Sequence, residues 1–134
     1  MDDAEPPAPI VGKIPGNIPE EQRFSVEIDR PERLAVGAAG LATIKLTAHE
    51  PWHVNLDYPT SMELTLPGGF EAAQRSFEKH HARRLDEQGF EYELAFTATR
   101  PGDEQIQGRL FFAVCEEDAC VPVKHDINFA VAVQ

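Results

Sequence analysis

Ile106-Gln107-Gly108-Arg109-Leu110-Phe111-Phe112-Ala113-Val114-Cys115-Glu116-Glu117-Asp118-Ala119-Cys120-Val121-Pro122 holds both cysteines of the chain. Ile106, Gly108, Leu110, Phe112 and Val114 alternate with other residues, which is the period of a strand with one buried face. Cys115 follows that run directly, three acids stand between it and the second cysteine, and Pro122 closes the exit. The pattern predicts a strand, a tight tip and a returning strand, with one sulfur on each leg. Cysteines facing each other across antiparallel strands can satisfy the distance limits of a disulfide without moving the backbone. The tip is the expected working end of the protein.

Outward from the hairpin, the same period recurs. Phe24, Val26 and Ile28 alternate with polar residues, as do Ala42, Ile44, Leu46 and Ala48. Met62, Leu64 and Leu66 form a shorter run, Phe90, Tyr92, Leu94 and Phe96 a longer one, and Ile127, Phe129, Val131 and Val133 the last. Trp52-His53-Val54-Asn55-Leu56 reads as a short strand after Pro51. Turn signals separate these runs at Pro31, Gly37-Ala38-Ala39-Gly40, Pro67-Gly68-Gly69 and Arg100-Pro101-Gly102-Asp103. Residues 70–88 have a helix-forming composition but lie among strands, so short strands and irregular connection are expected there. Seven to nine short strands at this spacing, with no βαβ unit, predict an all-β fold. An antiparallel immunoglobulin-like β-sandwich occupying residues 23–134 is the expected architecture.

Residues 1–22 have a different character. Pro6, Pro7, Pro9, Pro15 and Pro19 recur with acids and glycine, and no apolar period develops. This is the composition of a tail or linker. No signal-peptide pattern opens the chain, and Met1-Asp2-Asp3 is expected to be a start that follows a removed signal or lipid anchor.

Composition narrows the function classes. A formal net charge of −11 argues against nucleic acid and anionic lipid as partners. With 42% apolar residues and a mean hydropathy of −0.35, the chain offers no run near the roughly 20 residues that a membrane helix needs. There is no GxSxG, no P-loop and no HExxH. Five histidines, His49, His53, His80, His81 and His125, lie scattered along the chain. Two cysteines without CxxC spacing are a poor zinc signature, and no metal or cofactor is expected. A copper site combining the cysteines with His53 or His125 is a weaker alternative.

The pair is also a weak staple. Closing so short a segment contributes roughly 2 kcal/mol on a loop-entropy argument, against about 4–5 for a long loop. The spacing therefore favours redox use over stapling. Glu116, Glu117 and Asp118 disfavour a thiolate nearby, so a thiol that reacts within a docked complex is expected. One of Trp52, Tyr58, Phe70 and Phe77, at strand ends or in loops, is a candidate cap over the pair.

Trp52-His53-Val54-Asn55, Tyr58-Pro59-Thr60 and Phe112 to Pro122 resemble the N-terminal periplasmic domain of the DsbD thiol:disulfide interchange proteins. The likeness runs from about Phe24 to Val133, and the CxxxxC-x-P hairpin is its specific part. It implies an immunoglobulin-like sandwich with one redox-active pair, Cys115 and Cys120. It also implies a periplasmic setting, a membrane electron donor and thioredoxin-like partners. Cys120 would form the mixed disulfide and Cys115 would resolve it. The cysteine spacing here is shorter than in the best-studied members of the family, although related stand-alone domains share it. A monomer with no direct membrane insertion is expected. The competing expectation is an envelope binding or assembly module, tethered by its tail, in which the hairpin disulfide only stiffens a loop.

Overall fold

The computed structural model describes residues 20–134; the proline-rich tail read at residues 1–22 lies, up to residue 19, outside the described residues. A single helical turn, α1 (Glu20–Arg23), leads into the first strand. Eleven strands follow: β1 (Phe24–Asp29), β2 (Arg33–Leu34), β3 (Ala39–Ala48), β4 (His53–Val54), β5 (Ser61–Thr65), β6 (Phe70–Glu71), β7 (Ser76–Phe77), β8 (Arg84–Asp86), β9 (Gly89–Ala98), β10 (Gly102–Glu116) and β11 (Ala119–Val133). Four of them, β2, β4, β6 and β7, are pairings of two residues, and the other seven carry the fold.

The strands form two sheets. The first has the order β1-β3-β9-β6, with β8 also on β9. The second has the order β2-β11-β10-β5-β7, with β4 also on β10. All pairings are antiparallel except β2 with β11. The fold is therefore an all-β, immunoglobulin-like sandwich, as the alternation predicts. Pro31 follows β1, and the chain passes there from the first sheet to the second. Residues 70–88 form β6, β7, one 3-10 turn at Lys79–His81 and β8 rather than a helix.

The core lies between the sheets. Ile44 faces Tyr92 and Leu46 faces Phe90 across β3 and β9, and all four are fully buried. From the other sheet come Ile106, Leu110, Phe112 and Val114, each 0% exposed. Phe112 joins the layers: its ring centroid lies 5.1 Å from that of Phe24 and 5.4 Å from that of Phe90, both edge-on. Edge-to-face pairs of this kind add to the area they bury. Gly108 sits on the same inward face, where a Cβ would stand 2.7 Å from Leu64 Cδ2 and 3.2 Å from Ile127 Cγ1. Its missing side chain lets those two close over the core.

β10 and β11 are the longest elements, and their ladder runs unbroken from Gly102 opposite Val133 to Glu116 opposite Ala119. This long hairpin carries the cysteines to one end of the sandwich.

Candidate functional site

The register places Cys115 opposite Cys120, and the two form a disulfide with Cα atoms 4.0 Å apart. Val114 faces inward and is fully buried, so Cys115, one residue on, points to the outer face of the sheet. Residues directly opposite each other in an antiparallel pair share a face. On the far side of Cys115 lies β4, with His53 opposite Cys115 and Val54 opposite Val114. His53, Cys115 and Cys120 thus form one row across three strands. Two backbone bonds fix β4 in this position: Val54 N–H donates to Glu87 O at 2.8 Å, and Asn55 N–H donates to Ala113 O at 2.9 Å.

The tip beyond the row is short. Glu116 faces Ala119, leaving Glu117 and Asp118 as a two-residue turn. The Glu116 carboxylate accepts the Asp118 N–H at 2.9 Å, a local bond of the kind that shapes turns. Glu117 and Asp118 are exposed. A shallow groove adjoins the row at His53, lined by Ala48, Glu50, Pro51, Trp52, Glu87 and Gln88. Glu50 and Glu87 extend the acidic character of the tip along it.

The two sulfurs are not equivalent. Cys115, on a central strand between β4 and β11, is 5% exposed. Cys120 is half-buried. Cys120 is therefore the more accessible of the two residues.

Other predicted residues fall elsewhere. His125 lies on the inward face of β11, its ring edge-on to Phe24 at 5.3 Å. It is not in the cysteine row. His49 meets Ser25 Oγ at 3.3 Å. His80 and His81 stack on each other at 3.9 Å, and His81 Nδ1 accepts the Glu78 N–H. Among the described residues, no three or more His, Cys, Asp or Glu side chains are grouped to hold a metal ion. Of the four candidate caps, Phe70 and Phe77 belong to the core, against Phe96 at 5.6 Å and Tyr92 at 5.7 Å. Trp52 is also in the core cluster, with the Arg23 guanidinium 5.9 Å above its ring. Tyr58, half-buried, lies in the connection from β4 to β5.

Trp52 to Asn55 and Phe112 to Pro122, two of the three segments on which a DsbD resemblance was expected, meet at this row. No family model and no curated protein matches the chain. Solved structures do match in shape. The cohesin module of a Clostridium perfringens family 33 glycoside hydrolase has a TM-score of 0.48 at 9% identity, over 84% of this chain and 98% of that one. A conjugative transposon lipoprotein from Bacteroides eggerthii has a TM-score of 0.48 at 13% identity, over 81% and 96%. AggA, the major subunit of aggregative adherence fimbriae type I from Escherichia coli, has a TM-score of 0.45 at 10% identity, over 83% and 95%. None of these three is a DsbD domain.

Sequence reasoning joined His53 to the cysteines only in the weaker copper alternative, and gave it no place beside Cys115. No spacing links residues so far apart in the chain, and only the register of β4 on β10 joins them. Tyr92 was read only as a core residue. Its hydroxyl lies 3.2 Å from Glu78 O and 3.4 Å from Thr60 O. Burial first, and the Glu78 charge second, push its pKa up to about 12. Among the described residues, no helix is long and apolar enough to cross a membrane.

Proposed function

We propose that the protein is a thiol–disulfide interchange module. It passes electrons between thioredoxin-like partners through Cys115 and Cys120, in the periplasm, with a membrane protein as the upstream donor. The observation that carries this reading is the asymmetric disulfide at the end of a hairpin. One sulfur, Cys120, is open to attack, and the other is sheltered beside it. The groove next to the row gives a partner somewhere to dock. The short closed segment makes the bond a poor staple, and the DsbD likeness of the same residues supports the assignment.

A second reading has its own support. Cys115 is nearly inaccessible, which also suits a hairpin stiffened for binding within an envelope assembly.

The equilibrium reduction potential of the pair separates the two readings. Thiol labelling across glutathione or dithiothreitol buffers gives it directly. A value of roughly −180 to −270 mV belongs to an exchangeable pair. A value below about −300 mV, with the sulfurs reached only on unfolding, belongs to a structural disulfide and would sink the interchange reading.

A further inference from the structure

The sheltered sulfur raises a problem that its neighbour can solve. When a thiolate attacks Cys120, the electron pair of the broken bond goes to Cys115. That sulfur is 5% exposed and is followed in the chain by Glu116, Glu117 and Asp118. Burial and negative neighbours both disfavour a thiolate there. A proton delivered as the bond breaks removes the penalty.

His53 is the titratable side chain that the register puts directly opposite Cys115, on the side away from Cys120. Directly opposite residues in such a pair have Cβ atoms roughly 4.5–5.5 Å apart. His53 is half-buried. The backbone bonds of Val54 and Asn55 hold β4 just beyond it. The charged groups around it are mostly acidic. Glu50 and Glu87 line its groove, Glu116 adjoins Cys115, and Glu117 and Asp118 form the tip. Arg23 lies over the neighbouring Trp52. His49 is engaged with Ser25, and His125 is on the other face of the sheet.

We infer that His53 is the proton donor and acceptor for Cys115 during interchange, an assignment that rests on the interchange reading. The thiolate of a partner dithiol forms a bond to Cys120 Sγ, and the Cys115–Cys120 bond breaks. The electron pair moves to Cys115 Sγ, and the His53 imidazolium gives that sulfur its proton. The products are a mixed disulfide at Cys120, a Cys115 thiol and a neutral imidazole. In the reverse step, the imidazole takes the proton back. The resulting Cys115 thiolate then attacks Cys120 Sγ and expels the partner's sulfur as a thiolate.

The test uses dithiothreitol, so no physiological partner is needed. Disulfide reduction rates are measured across about pH 5 to 8 and divided by the concentration of dithiothreitol thiolate. Wild type, His53→Gln, His53→Asn and His49→Gln are compared. For the wild type, the corrected rate should fall as pH rises across this range. The two His53 variants should be flat and at least about tenfold slower at the acidic end. They should meet the wild type at the alkaline end, and His49→Gln should follow the wild type throughout. His53 variants that parallel the wild type would overturn the assignment and leave interchange standing. Loss of the step in His49→Gln as well would overturn it in favour of a general charge effect. A disulfide that resists dithiothreitol in every variant until the protein unfolds would remove the interchange reading, and this role with it.

Discussion

Cys115 and Cys120 stand opposite each other with Cα atoms 4.0 Å apart, yet Cys115 is 5% exposed and Cys120 is only half-buried. The order of events in any exchange follows from that asymmetry. Cys115→Ala leaves the accessible sulfur without its resolving partner, so a mixed disulfide with a thioredoxin-like protein should accumulate. Cys120→Ala leaves only the sheltered sulfur, and capture should be lost. Non-reducing gels of each variant mixed with a thioredoxin-like probe measure this directly. Equal capture by both variants would mean that burial does not order the pair.

An exchangeable pair must open without unfolding the domain. Here the ladder of β10 on β11 continues down to Gly102 opposite Val133, and the core beneath the hairpin contains neither sulfur. Reduction should therefore cost only the closure term, roughly 2 kcal/mol. In urea that is a fall of about 1 M in the unfolding midpoint. The reduced protein should keep a single cooperative transition. Loss of that transition on reduction would make the disulfide a structural requirement.

Much of this arrangement was legible in the residues. Alternation placed β1, β3, β9 and β11, because each has one face on the core. The same parity put Val114 inward and Cys115 outward. The place of His53 beside Cys115 was not legible, because β4 is two residues long and its position depends on which strand it joins. Phe70 and Phe77 could not be sorted from the other cap candidates for a related reason. Strand ends and loops suggested a cap, but two-residue strands at β6 and β7 turn both rings into the core. Unequal roles for the sulfurs came only from the family resemblance; their unequal burial depends on β4 lying beside Cys115. A sequence has no signal for which neighbour a short strand will find.

Gly89 begins β9 where a side chain has no room. A Cβ there would lie 2.0 Å from the backbone oxygen of Leu46 on β3, and the Gly89 N–H is held by Asp86 Oδ1 at 3.1 Å. The two strands would have to separate. Gly89→Ala should cost about 3 kcal/mol or more, at or beyond the upper end of the usual overpacking range. Gly68 offers the contrast. Its Cβ would meet only the guanidinium of Arg100 at 3.2 Å, the far end of a flexible side chain. Gly68→Ala should change stability by less than about 0.5 kcal/mol. Urea midpoints of the two variants decide the point, and similar losses would refute the steric argument.

The Tyr92 hydroxyl ties the β9 side of the core to the loops around Thr60 and Glu78. Removing it in Tyr92→Phe should cost about 1 kcal/mol near neutral pH, the usual worth of a buried hydrogen bond. Its alkaline behaviour is more distinctive. An unfolded tyrosine ionises near pH 10, while the folded one holds its proton up to about 12. Below about pH 10 both states carry the proton, and the hydroxyl's contribution is fully present. Between the two values the unfolded state loses its proton first, so stability falls as pH rises. The wild type should therefore lose its advantage over Tyr92→Phe across that window. Urea titrations of both proteins at a series of alkaline pH values measure the gap between them. A gap independent of pH would show that the hydroxyl ionises alike in both states.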